Sequence, residues 1–287
     1  MTANTAAPAT DATGVRPGVR PGVSWARQAV RLARTEFTLF ARYKTAWMYL
    51  ALPLFFAFMT TNLPNDEVVP GFGMGQMAMV ATIGSIGLIL GVGHPSNVFT
   101  ARRESLVLKR LRVSGVPQSA VFGGVIGAVV VFSLAITVVV AALVLVFFGS
   151  LPRDPLMLAV AVVLSSVMFS LMGLLITPIV RNAESAQMIS MLPMLVLLFV
   201  GGGLIPLEFL PETARVIIGF VPSVPAGEMA QTAYSGYDAF RGFGDGEEKG
   251  YLALWVAALP SIGIMLAWIA VLALLVRRYF RWDPRQP

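Results

Sequence analysis

Six apolar runs, residues 45–63, 74–93, 119–149, 156–180, 185–207 and 251–276, dominate the chain. Each is long enough to cross a bilayer as a helix, which takes roughly 20 residues. Helices are the natural reading, because a lone strand leaves its backbone groups unsatisfied in lipid. The composition agrees: 56% of the chain is hydrophobic and 13% is charged, against about 25% charged in an average soluble domain. The expected fold class is therefore an all-α polytopic membrane protein with six transmembrane helices. Zero cysteines exclude disulfides, thiolate metal sites and a cysteine nucleophile, and a single histidine, His94, gives no basis for a multi-histidine metal site.

The net charge of +6 is carried by residues that border the runs, so it points to membrane topology and not to nucleic acid. With both termini placed in the cytoplasm, the inner segments hold 17 of the 21 Lys and Arg residues and the outer segments hold four. The outer segments also hold ten of the 15 acidic residues. This asymmetry predicts cytoplasmic termini in the plasma (inner) membrane. Pro53, Pro178, Pro193 and Pro260 lie in runs and should kink them or mark their ends. Gly87 with Gly91, and Gly123 with Gly127, form small-xxx-small pairs that allow close helix contact. Residues 1–23, rich in Ala, Thr, Pro and Gly, carry no signal-peptide pattern and read as a disordered tail; residues 282–287 read as a short C-terminal tail.

Between the second and third runs lies ARRESLVLKRLRVSGVPQ, residues 101–118, with five basic residues. Ser105 is placed to cap a short helix, Val107, Leu108 and Leu111 share a side, and Gly115 with Pro117 ends it. A capped helix with an apolar side suggests a docking surface for a cytoplasmic partner. A solvated basic loop fits equally well.

Ahead of the first run, residues 25–43 form an amphipathic pattern. Arg27, Arg31, Arg34 and Arg42 fall on one face; Trp25, Ala29, Leu32, Leu39, Phe40 and Tyr43 fall on the other. This reads as an N-terminal helix lying in the inner interface. Glu36 interrupts the apolar face. Either it reaches round to headgroup water, or it pairs with a basic residue of 101–118.

On the outer side, residues 201–236 are too apolar for a free loop and too broken by Pro206, Pro211, Pro222 and Pro225 for another span. Short helices are expected over 212–220 and 226–234. They would either be re-entrant, dipping back into the outer leaflet, or form a small globular cap. Residues 238–249, DAFRGFGDGEEK, read as a solvated loop.

Three pieces taken in order resemble one family: RLARTEFTLFARYKTAWMYLALPL, RRESLVLKRLRVSGVPQSAVFGG and GGGLIPLEFLPETARVIIGFVP. They are similar to the connecting helix, the acidic turn with coupling helix, and the segment after span five of the permease subunit of type-2 class ABC exporters. The resemblance covers residues 24–281 as one transmembrane domain. It implies a dimer of permeases (a second copy of this chain or a related one) working with two copies of a separate ATPase subunit, which binds ATP and Mg. This chain carries no G-x-x-x-x-G-K-[ST] loop and is expected to bind no cofactor and to be no enzyme itself. The resemblance places ATPase coupling on Glu104, Ser105, Leu108, Leu111 and Arg112, and the connecting helix on Arg31, Arg34 and Glu36. Ser105 departs from the Gly-Thr common in the family. The dimer interface is implied to involve spans one, two and five.

No charged residue lies within the six runs, which argues against proton-coupled transport. His94 and Glu184 lie at run ends and read as interfacial side chains. A path lined by Phe55, Met59, Met191, Met194 and Phe199 would suit an amphiphilic drug, a natural product or a lipid-like cargo, with antibiotic resistance as one use. A secondary transporter, a membrane-embedded enzyme and a non-transporting immunity or sensor protein are the alternatives. The enzyme would need a polar cluster at one membrane depth, and none is evident.

Overall fold

Lipid tails are as apolar as leucine, so helices gain little by hiding apolar faces from a membrane. The helix that becomes central is the one whose surface lets others approach closely. A computed structural model of the protein describes residues 25–42, 44–201, 211–240, 242–243 and 247–280. Its elements, in order, are α1 Trp25–Arg42, α2 Lys44–Thr60, β1 Glu67–Val69, β2 Phe72–Gly73, α3 Met74–Glu104, α4 Val107–Val113 and α5 Gln118–Phe148, then α6 Pro155–Ile176, α7 Ala183–Val200, α8 Glu212–Ile218, α9 Val224–Ser235 and α10 Tyr251–Tyr279. The expected tails, 1–23 and 282–287, lie outside the described residues, as do residues 202–210.

The central helix is α3. Its most apolar window has a mean hydropathy of only 1.7 yet is 94% buried, whereas α5 reaches 3.1 and is 33% buried. Glycine explains the inversion. A Cβ at Gly91 would stand 2.8 Å from Phe169 Cβ of α6, and one at Gly84 would stand 2.5 Å from the Gly227 backbone of α9. The Gly87 and Gly91 pair thus meets α6, while Gly127 of the second pair lies against Ala33 of α1. Pro95, not singled out above, deepens the α3–α6 contact. It has no N–H for the Gly91 carbonyl, and Gly173 of α6 comes so near that a Cβ there would be 2.7 Å from that oxygen.

Five helices, α3, α5, α6, α7 and α10, are long and apolar enough to cross a membrane. The protein is a multi-pass membrane protein. The first expected span, 45–63, corresponds to α2, whose described apolar stretch, Ala51–Thr60, is shorter. The second expected span ends at 93, but α3 continues to Glu104 over 31 residues, about 46 Å at 1.5 Å per residue. That exceeds a hydrocarbon core of roughly 30 Å, so α3 is longer than an upright crossing of that core requires. Pro53, Pro193 and Pro260 lie inside α2, α7 and α10, and Pro178 follows the end of α6. Asp154 starts α6 by accepting the Met157 N–H (2.9 Å), and Asn182 starts α7 by accepting the Ser185 N–H (2.8 Å).

At one end of the bundle the β1–β2 hairpin, turning through Gly71 at φ +74, leads straight into α3. After the short helix α8, α9 returns into the same end. Nearly every residue of α9 is buried, against α3, α6 and α10, and the Trp268 indole N–H of α10 donates to the Phe220 carbonyl at 2.9 Å. Gly84, which meets the first turn of α9, lies ten residues into α3, about 15 Å along its axis. α9 therefore enters the helical bundle and is not part of a separate cap, whereas α8 stays partly exposed, with Ile217 open to the surroundings. Residues 238–249 differ from the expected solvated loop: Ala239 and Gly242 are buried and the Phe243 ring packs against Phe72. Glu247 and Glu248 are exposed, and Glu248 pairs with Arg153.

Candidate functional site

The other end of the bundle is built around α4. α3 stops at Glu104, and Leu106 turns the chain at φ +58, the one positive-φ residue other than glycine among those described. A leucine there is strained by about 1–2 kcal/mol. The packing of α4 forces the turn, because it aims Leu108 into the bundle. Ser105 does not cap α4 as expected. Its hydroxyl donates back to the Ala101 carbonyl (2.8 Å), closing α3, and Leu106 takes the N-cap position without a side-chain bond. Gly115 (φ +76) and Pro117 end the segment as expected.

The two faces of α4 have different roles. Leu108 is fully buried with Phe99, Val121, Val125, Leu174 and Val276, which belong to α3, α5, α6 and α10. Leu111 is half-buried against the same cluster. The rings of Phe99, Phe122 and Phe280 complete it, with centroids 4.9–5.9 Å apart. Leu108 and most of Leu111 are therefore bound within the chain and are not free for a partner, a correction to the expectation above. Period-3.6 spacing shows that these residues are buried but not against what. The free face carries Leu106, Lys109, Arg110, Arg112 and Val113, with Glu104 and Ser105 exposed beside it. Val113 is 82% exposed. Leu106, Lys109, Arg110, Val113 and Ser114 line a shallow groove.

Two adjacent arginines tie this end to other elements. Glu36, 2% exposed, forms an ion pair with Arg102. The partner lies in the expected segment, 101–118; of its other arginines, Arg112 points to solvent from α4, and Arg103 is engaged elsewhere. Arg103 is buried and donates from Nη1 to the Thr177 carbonyl and from Nη2 to the Val180 carbonyl, each at 2.5 Å. α1 is held on α5 by Ala33 against Gly127 and by the Phe37 ring stacked on Phe132 at 4.6 Å. Arg31 and Arg34 are exposed away from that contact.

Of the residues expected along a cargo path, Phe55 and Met59 of α2 and Met191 and Phe199 of α7 are roughly half exposed. Met194 is 5% exposed and belongs to the core, because it projects from the side of α7 that meets the bundle. α2 and α7 both pack on α3. His94 is buried on α3 and is not an interfacial side chain; Glu184 is exposed in the first turn of α7, where a carboxylate suits the helix dipole.

One group escaped the reading of the sequence. The runs hold no charge, yet α9 carries Glu228 into the bundle, where it is 4% exposed and accepts a hydrogen bond from the Ser261 hydroxyl of α10 at 3.1 Å. Its signal was present in the expected helix over 226–234; its depth depended on packing that no local pattern encodes.

A family model described as ABC-2 family transporter protein matches residues 49–278, most of the chain, including α3, α4 and α9. The chain belongs to the ABC-2 transporter family. A search of curated proteins finds no match. ABC-2 proteins of this kind are membrane components of ABC transporters, and the family in general works with an ABC ATPase. On this ABC-2 protein the free face of α4 is the exposed, basic side of a helix whose other side is buried in the bundle.

Proposed function

We propose that this chain is the permease subunit of an ATP-driven exporter in the plasma (inner) membrane, with six spans and both termini in the cytoplasm. Two permeases, either two copies of this chain or this chain and a relative, form a cargo path between them. Two copies of a separate ATPase hold ATP and Mg and act on α4. The half-exposed face of Phe55, Met59, Met191 and Phe199 suits subunit contact and an amphiphilic drug, natural product or lipid-like cargo.

One observation carries this reading. A seven-residue helix has one side fixed among four membrane-associated helices and the other side open, basic and partly apolar. A solvated loop has no need of Leu108 at the centre of a buried cluster, or of a strained Leu106 to put it there. Force applied to the free face would pass into α3, α5, α6 and α10 together.

The test is charge reversal on the free face. Lys109→Glu combined with Arg110→Glu should leave membrane insertion unchanged and reduce co-purification of the ATPase by at least tenfold. Cargo export should fall in parallel. Undiminished recovery of the ATPase would sink the docking reading.

Topology has a separate test, which the absence of native cysteine makes simple. Ser114→Cys should react with a membrane-impermeant maleimide only from the cytoplasm, and Glu247→Cys only from outside. Both positions are exposed. Outside labelling at Ser114 would reverse the arrangement.

A further inference from the structure

We infer that Arg102 and Arg103 divide a displacement of α4 between two destinations, and that Arg103 is the positioning residue that carries it to the turn between α6 and α7. The inference rests on the coupling role proposed for α4 and adds where the movement goes.

Consecutive helical residues point about 100° apart. Arg102 leaves α3 toward α1 and meets Glu36. Arg103 leaves in another direction and places its fork on two carbonyls, Thr177 and Val180. Thr177 directly follows the last residue of α6 and Val180 lies two residues before Asn182, the N-cap of α7. Carbonyls at a helix C terminus lack intrahelical donors and carry the negative end of the dipole. A planar guanidinium satisfies the Thr177 carbonyl at that terminus and the Val180 carbonyl of the following turn at once, which a single ammonium does less well. Nearby, Asn97 of α3 donates to the Ala183 carbonyl at the start of α7 (3.2 Å).

The same arginine also forms part of the α3–α4 turn. The Leu106 N–H donates to the Arg103 carbonyl (3.2 Å), and the Ser105 N–H to the Ala101 carbonyl (3.0 Å). No slack chain separates α4 from the last turn of α3, since Ser105 and Leu106 alone intervene. The backbone of Arg103 therefore moves with α4, while its side chain grips the turn that begins α7. The exposed Met191 and Phe199 face lies on that helix.

The experiment uses the complex of the permease with its ATPase, reconstituted in nanodiscs. Single cysteines at Ser114, beside α4, and at Arg181, exposed in the α6–α7 turn, are labelled with maleimide in Mg·ATP and in Mg·ADP. With Arg103 intact, labelling rates at both positions should depend on nucleotide. With Arg103→Gln or Arg103→Lys, Ser114→Cys should keep its dependence and the ATP-to-ADP ratio at Arg181→Cys should move at least halfway to one, the remainder passing through Leu108 against Leu174 and through Asn97 on Ala183. Cargo moved per ATP hydrolysed should drop several-fold. Arg103→Lys keeps the charge and one hydrogen bond, so it serves if Arg103→Gln does not assemble. A purely structural role predicts faster labelling at Arg181→Cys in both nucleotides with the difference preserved, and that result overturns the inference. Silence at Ser114→Cys with Arg103 intact removes the coupling reading itself, and this inference with it.

Discussion

Leu108→Asp is expected to abolish accumulation of folded protein, whereas Val113→Asp on the same helix leaves the protein folded and deprives it of its ATPase. Leu108 sits at 0% exposure among residues of four helices. Truncating such a leucine to alanine costs about 2–5 kcal/mol, and a carboxylate adds the cost of a buried polar group, about 2–7 kcal/mol depending on its surroundings. Against a total stability of about 5–15 kcal/mol, the sum is disabling. Val113 is 82% exposed, and substitutions at such positions stay within about 0.5 kcal/mol. Size-exclusion profiles of detergent-solubilised variants, with ATPase recovery measured alongside, separate the two. Leu108→Ala should fall between, with a lowered melting temperature and retained ATPase binding. A monodisperse Leu108→Asp protein at wild-type yield would contradict the burial described for α4.

Glu36→Ala is the second large effect. It leaves the Arg102 guanidinium, 16% exposed, without the carboxylate that neutralises it. Breaking a buried pair costs about 3–5 kcal/mol; a site near the interface, with water close by, should fall at or below the bottom of that range. α1 should loosen from α5, seen as faster hydrogen exchange over Trp25–Arg42. The reversal Glu36→Arg with Arg102→Glu should restore protection and export better than either single change. The reversal Glu36→Arg with Arg112→Glu should restore neither, because Arg112 faces away on α4. Equal rescue by both would mean that bulk charge, and not this contact, holds α1.

The difference between these residues shows what the sequence could reveal. A carboxylate in the middle of an apolar helix face is an anomaly that local reasoning can detect, and a basic segment elsewhere supplies its counter-charge. Choosing Arg102 over Arg103 requires knowing the azimuth of α3, because neighbouring residues diverge by about 100°. Leu108 was legible as buried; whether its cover was this chain or another could not be read from periodicity, which records only that water is absent. The six apolar runs and the helices over 212–220 and 226–234 follow from composition and proline spacing. The depth of α9, and with it the burial of Glu228, follows from Gly84 and Gly227 meeting across a distance of 143 positions in the chain, which no window can see. The β1–β2 hairpin at Pro70–Gly71 was missed because two- and three-residue strands are too short to establish a period.

The glycine-lined surface of α3 has a consequence for how the protein is made. Its best window averages 1.7 in hydropathy against 3.1 for α5, so of the two it gains less from contact with lipid. Its natural partners, α6 and α9, lie later in the chain and emerge from the ribosome afterwards. Until they arrive, α3 exposes small residues and a Gly91 carbonyl deprived of its i+4 donor by Pro95 to a poor solvent. Biogenesis thus passes through a waiting stage in which the future centre of the molecule is its least comfortable segment. Membrane chaperones and proteases have their opportunity at that stage. A bulky side chain at Gly173, where a Cβ would stand 2.7 Å from the Gly91 carbonyl oxygen, should therefore register first as a lower yield of folded protein.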